Sequence, residues 1–367
     1  LGVPRLDHTK GEGLNYSTLD SLIHRIAFSS NAIQLTACDI EHKLFANQYR
    51  NVNTANPVFI TSLPRAGTTL FLEVLNRFPS VASHTYRDMP FVMAPLLWSK
   101  VSGIFRKQAS LSERAHGDGM QIGYDSPEAF EEVIWRTFWP EKYSNARIQL
   151  WDTSDIKDEA REFLAVHFKK IITLRCPHMQ GDAHYVSKNN GNISRISILR
   201  AMFPSAQIVV PLRNPTAHAQ SMLNQHRNFS ALHSKESFIR QYMADVGHYE
   251  FGELHRPIQF PDLDTMIEGR DINSIDYWLA YWVAAFKYIW SKKDGIYLLS
   301  YEDTCTGGKD ALEKVCQLLG IDAGGSLEKA ASLFYSPVDS DCRTLVQDRQ
   351  LLDEAETLFH ELHAHAV

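Results

Sequence analysis

No run of this 367-residue chain approaches the roughly 18 consecutive apolar residues that a membrane-spanning helix needs. No membrane span is therefore expected. Positive charge is also short: 37 Lys and Arg against 43 Asp and Glu leave a formal net charge of −6. That balance argues against nucleic acid as the partner. Cysteine is scarce, odd in number and widely spaced, at positions 38, 176, 305, 316 and 342, with no CxxC pair. Reduced buried thiols of a cytoplasmic protein are the expected state. The 16 histidines are scattered, and none falls into an HExxH or similar ligand spacing, so no metal is expected. Leu1-Gly2-Val3-Pro4 contains neither an initiator methionine nor a signal-peptide core. A targeting segment lost upstream stays open, and the expected location is cytoplasmic.

What is present is an ordinary globular composition, 44% hydrophobic and 22% charged, without internal repeat or low-complexity linker. Residues 1–50 read as a helical lead-in with Leu19, Leu22, Ile23, Ile26 and Ala27 on one face. Short apolar runs at 57–63, 81–86, 169–176, 184–187, 207–212 and 296–301 read as strands. Helices are expected over 68–78, 192–203, 215–226, 276–292 and 309–319, with an amphipathic tail over 345–366. Residues 87–165 are long, aromatic and mostly helical in pattern, fit for a lid. The alternation of strands and helices predicts an α/β fold, a central parallel β-sheet flanked by helices. One domain is expected throughout: lead-in 1–50, loop and first strands 57–86, helical lid 87–165, α/β core 166–320 and helical tail 321–367.

The segment Pro57-Val58-Phe59-Ile60-Thr61-Ser62-Leu63-Pro64-Arg65-Ala66-Gly67-Thr68-Thr69 runs from strand through turn into helix. That order suits a phosphate-cradling loop. Against the pattern G-x-x-x-x-G-K-[ST], Ser62 replaces the first glycine, Gly67 and Thr69 fit, and Thr68 stands where lysine reaches a triphosphate. The nearest cation is Arg65, so the loop suits an anion other than ATP. A second strand, Gln207–Leu212, leads into Arg213-Asn214-Pro215 and a helix carrying Ser221, eight residues beyond the arginine. An arginine at a strand end with a serine two turns on can clamp a second phosphate.

Together these segments resemble the sulfotransferases that use 3′-phosphoadenosine-5′-phosphosulfate (PAPS) and release 3′-phosphoadenosine-5′-phosphate (PAP). The PRxGTT loop points to the bacterial-type branch. The resemblance covers residues 57 to about 320 and includes Phe203-Pro204-Ser205-Ala206, Lys188 after a strand, and Ser300-Tyr301-Glu302-Asp303. It implies a P-loop-type fold. It also implies that Arg65, Ala66, Gly67, Thr68 and Thr69 hold the phosphosulfate, with Ala66 losing a hydroxyl common in relatives. Arg213 and Ser221 would hold the 3′-phosphate, Tyr301 would lie near the purine, and Arg65 and Lys188 would stabilise the leaving group. The implied reaction is metal-free transfer of a sulfuryl group to a hydroxyl or amine of a small-molecule, carbohydrate or lipid acceptor. The general base is less legible. His84 is the first candidate, Asp88 the second, and Glu131 and Glu132 follow. Two other readings stand beside this one. A phosphate-loop kinase would carry lysine at 68 and an acidic Mg²⁺ ligand at a strand end, and neither is visible. A non-catalytic nucleotide-binding protein would keep the cradle and lack the base.

Overall fold

The computed structural model describes residues 18–54, 56–102, 112–113, 121–122, 127–179, 181–335 and 341–367. Helices α1 (Thr18–Ala27) and α2 (Asn31–Tyr49) precede strand β1 (Val58–Ile60) and helix α3 (Thr68–Leu75). Then come β2 (Val81–Ala82), α4 (Pro95–Ser102), the short strands β3 (Ser112–Glu113) and β4 (Gln121–Ile122), α5 (Glu132–Phe138) and α6 (Asp158–Arg175). The nucleotide-binding half expected from sequence contains β5 (His184–Lys188), α7 (Ile196–Met202), β6 (Gln207–Leu212), α8 (Pro215–Lys235) and α9 (Ser237–Val246). It continues through α10 (Leu263–Ile267), α11 (Ile275–Ser291), β7 (Ile296–Ser300) and α12 (Tyr301–Leu319). Helices α13 (Leu327–Ala331) and α14 (Arg349–His363) follow.

Five strands form a parallel sheet in the order β2-β5-β1-β6-β7. Helices cover both faces, which is why Val58-Phe59-Ile60 and Ile208–Leu212 are buried throughout rather than alternating. Pro211 sits in the inner strand β6 because β1 stops short of it. The β1–β6 ladder ends at Ile60 opposite Val209, followed by a last bond from Thr61 N to Val209 O. The missing N–H of Pro211 falls beyond that end, where its carbonyl accepts from Ser62 Oγ instead.

Three expectations are corrected. Residues 169–176 are no strand: they form the last turns of α6, whose Ala160, Leu164, Phe168, Ile171 and Ile172 are buried at helical spacing. The β-branched pair Ile171-Ile172 imitates a strand, but helical packing against the core overrides that preference. Strand β2 covers only Val81–Ala82, and a 3₁₀ turn at Tyr86–Asp88 follows it. In α1 the inward residues are His24 and Ala27, while Leu22 and Ile26 are exposed. Much of the expected lid, residues 103–111, 114–120 and 123–126, lies outside the described residues. Trp135 of α5 and Trp278 and Trp282 of α11 are fully buried core, while Trp290 near the end of α11 is half-buried. All five cysteines are buried free thiols. Among the described residues no helix is long and apolar enough to cross a membrane.

Candidate active site

Strands β1, β5, β6 and β7 all point their C-terminal ends at one sheet edge, and the loop Ser62–Gly67 lies across it. Two of its residues take left-handed backbone, Arg65 at φ 77° and Gly67 at φ 93°. Gly67 caps α3 without any side-chain hydrogen bond to the helix N-terminus. The first N–H groups of α3 therefore keep their capacity to bind an anion.

The second segment fastens the loop at several points. Ser62 Oγ donates to Pro211 O at 2.7 Å, and His218 Nε2 to Pro64 O at 2.9 Å. A guanidinium nitrogen of Arg213 donates to Arg65 O at 2.8 Å. Arg65 Nε donates to Ser221 Oγ at 3.3 Å. The guanidinium of Arg213 lies 5.3 Å from the centroid of the Tyr301 ring, which packs on Gly67. Arg65, Gly67, Arg213, Ser221 and Tyr301 thus form one connected cluster. Ala66 is fully buried inside it.

A cleft of about 510 Å³ opens beside this cluster. Arg65, Thr68, Thr69 and Lys188 line it, together with Asn190, His248 and Glu250. Lys188 ends β5 in register with Ile60 at the end of β1. Thr68 Oγ1 donates to Asn190 Oδ1 at 3.2 Å. A second, mostly apolar cleft adjoins the first and shares Pro64, Asn190, His248 and Glu250 with it. Leu63, Ile148, Ile193, Ile258 and Tyr281 form its walls. His248 Nδ1 stands 3.5 Å from Glu250 Oε2. Burial pushes the Glu250 carboxyl up, but His248 and then Lys188 outweigh it and hold the group below the ordinary carboxylate range.

Sequence reasoning missed Asn190, His248 and Glu250. The signal was present in Gly247-His248-Tyr249-Glu250-Phe251-Gly252, a polar pair bracketed by glycines that take positive φ at both ends.

The four base candidates named from sequence are placed elsewhere or occupied. His84 is buried, with Nδ1 at 3.0 Å from Asp88 and Nε2 at 2.8 Å from His167. It lines neither cleft. Asp88 also pairs with Arg175; burial pushes its carboxyl up, but His84 and then Arg175 outweigh it and keep it low. Glu131 accepts from Trp135 Nε1 at 2.7 Å and from the Tyr185 hydroxyl at 2.9 Å. Glu132 reaches the apolar cleft, but its carboxylate is bound by Arg195, Tyr143 and Asn189. Among the described residues no group of three or more His, Cys, Asp or Glu is arranged to hold a metal ion.

A sequence model of the sulfotransferase family matches residues 57–256, which carry the loop, Lys188, the Arg213 segment and the His248–Glu250 pair. The chain belongs to the sulfotransferase family. Its fold agrees with two solved bacterial members. Sulfotransferase STF1 from Mycobacterium tuberculosis H37Rv superposes at TM-score 0.50 and 12% identity, over 96% of this chain and 88% of that one. Sulfotransferase STF9 from Mycobacterium avium superposes at TM-score 0.51 and 12% identity, over 95% and 86%. No curated protein sequence matches the chain.

Two consequences follow for this sulfotransferase. A Cβ on Gly67 would stand 2.4 Å from Tyr301 Cδ2, on a backbone at φ 93°. Gly67→Ala is therefore expected to cost about 1–3 kcal/mol in backbone strain alone, plus the displacement of the ring. In urea unfolding, adding Tyr301→Ala should recover the steric share and leave the strain.

The second concerns acid. Burial, then Arg213, pushes the His218 imidazole down to about 3, and burial does the same to His255. Their unfolded pKa is about 6.5, so the unfolded chain takes up the protons first. Stability is then full above about pH 6.5 and falls as pH drops towards 3, by about 1 kcal/mol per pH unit for each histidine. Denaturation at pH 7 and pH 5 should show the loss, and His218→Asn should shrink it. Equal stability at both pH values would contradict the assignment.

Proposed function

We propose that this sulfotransferase moves a sulfuryl group from PAPS to a hydroxyl or amine of a small-molecule acceptor. The observation that carries the reading is the junction of the two clefts. Cations and helix N–H groups line one, apolar side chains line the other, and His248 with Glu250 stands where they meet. The donor set fits a polyanion: Arg65, Lys188 and Arg213 supply positive charge, and Thr68, Thr69 and Ser221 supply hydroxyls. The uncapped end of α3 adds its dipole.

The donor supplies an activated sulfuryl group, whose departure leaves negative charge on a phosphate oxygen. Lys188 and Arg65 are the cations that meet that charge. Thr68, Thr69 and the backbone of Ala66 and Gly67 hold the phosphate in place. Arg213 and Ser221 are assigned the 3′-phosphate, and Tyr301 shapes the nucleoside end through its packing on Gly67 and Arg213. The base is assigned to His248 rather than His84. Glu250 faces its Nδ1, which favours a proton there and leaves Nε2 to accept one from the acceptor. The apolar cleft suits an acceptor with a hydrophobic body.

Thermal unfolding with added nucleotide tests the reading, because a ligand of the folded state raises stability by RT ln(1 + [L]/Kd). PAP should raise the midpoint well above the effect of equimolar ATP with Mg²⁺. Preference for ATP would defeat the proposal.

A further inference from the structure

Next to the apolar cleft lies a further chamber, open to solvent, that the transfer chemistry does not use. It sits between the start of α2, the end of α5 and the segment 245–256. Tyr249 is the partition: Tyr249 and Arg256 line both the cleft and the chamber. The Arg256 guanidinium lies 4.0 Å from the Tyr249 ring centroid, and that of Arg136 lies 5.2 Å from it. Arg136 also donates to Ala244 O and Asp245 O at 2.7 and 2.6 Å, which fixes its head in the chamber wall.

The same lining holds an unmatched acceptor. Gln34 is 2% exposed, and its Nε2 donates to Pro90 O at 2.8 Å and Ala27 O at 3.3 Å. Those two carbonyls orient the amide. Its Oε1 is buried without a donor among the described residues, and Gln34 lines the chamber. An orphaned buried carbonyl costs stability until a ligand or water supplies a donor.

The chamber therefore asks a ligand both to accept from guanidinium groups and to donate to an amide oxygen. A carboxylate or phosphate can only accept, and an alkyl group can do neither. A hydroxyl does both, and several hydroxyls on one ring can meet Arg136, Arg256 and Gln34 together. Phe28 and Tyr249 add aromatic surface to the same walls. We propose that this chamber is a sugar-binding subsite, which seats a glycosyl or similar polyol group of the acceptor. The acceptor is then an amphiphile, with an apolar body in the cleft beside His248 and its polyol beyond Tyr249. The assignment of the cleft to an acceptor rests on the function proposed above.

Calorimetry with hexyl β-glucoside, hexanol and hexanoate, without nucleotide, tests the subsite. The glucoside should bind roughly tenfold or more tighter than hexanol, as expected of one or two added hydrogen bonds. Gln34→Leu should abolish most of that preference. Since Gln34 also fastens α1 to Pro90, Arg256→Met serves as the second variant, with the same loss expected. Equal affinity for glucoside and hexanol, tighter hexanoate, or an unchanged preference in both variants would overturn the proposal. Glucoside binding in a protein that fails to bind PAP would sink the sulfuryl-transfer reading and leave the subsite standing.

Discussion

Arg195→Met is expected to destabilise the fold by about 3–5 kcal/mol. Typical domains hold only ~5–15 kcal/mol in all. Arg195 is fully buried. One of its guanidinium nitrogens donates to both oxygens of Glu132, at 2.6 and 2.8 Å, and to the Tyr143 hydroxyl at 2.8 Å. Its partner nitrogen donates to Asn192 Oδ1 at 2.9 Å. The guanidinium plane lies between Trp135 and Trp151, 4.6 and 4.7 Å from their ring centroids. Burial pushes the Glu132 carboxyl up, and Arg195 more than reverses it, with hydrogen bonds from Tyr143 and Asn189 adding to the effect. Loss of the arginine strands that carboxylate. Arg195→Lys should recover little, because an ammonium cannot stack between two indoles or span the same acceptors. Arg195→Met with Glu132→Gln should lose less than the sum of the two single changes. Urea midpoints give the answer, and a loss below about 1 kcal/mol for Arg195→Met would contradict the account. The same cluster explains why Glu132, at the cleft wall, is a structural anion and is not assigned as the base. Gly247 packs on it so closely that an added Cβ would come within 2.6 Å of Glu132 Cγ. The ion pair thus supports the loop that carries His248.

His248→Ala is expected to lower kcat by roughly 10²–10⁴-fold, the usual range for loss of a positioned base. Affinity for PAP should stay close to wild type, since the assigned nucleotide contacts come from the loop, Lys188 and the Arg213 segment. Glu250→Gln should lower kcat less, because it removes only the group that holds the tautomer. His84→Gln is the contrast. With both ring nitrogens bound to buried partners, it should cost stability and leave kcat within a few-fold. Steady-state rates for the three variants separate the candidates. Transfer that survives His248→Ala but fails in His84→Gln would return the role to His84.

The two strand–turn–helix segments at the sheet edge were legible because their signals are local. A strand, a turn with glycine at the helix entry and a following helix are each written in a few adjacent residues, as in Phe59–Thr69 and Val209–Ser221. Parallel strand ends then bring those segments to one edge without further information. The convergence of Arg65 and Ser221 into a direct hydrogen bond was not legible, since it depends on how far each side chain reaches. The surroundings of His84 were illegible for a related reason. His84 follows a strand, but that strand is β2 at the sheet margin, and its imidazole turns into a buried network with Asp88 and His167. His248 lies in a loop with no periodicity, and only packing on Glu132 and the neighbouring helices carries it to the clefts. Residues 169–176 show the same limit, where apolar β-branched residues fit a strand or a buried helix face equally well until the rest of α6 is in view.

We assign the 3′-phosphate of the donor to the Arg213 segment and its 5′ end to the loop. The most direct measurement of that assignment is a ligand-by-variant cycle: PAP and adenosine 5′-phosphate titrated by calorimetry into wild type and Arg213→Ala. Wild type should prefer PAP by about 100-fold, as a charge-assisted phosphate contact allows. In the variant that preference should collapse to a few-fold, with adenosine 5′-phosphate affinity little changed. A preference for PAP that persists at full strength without Arg213 would contradict the assignment.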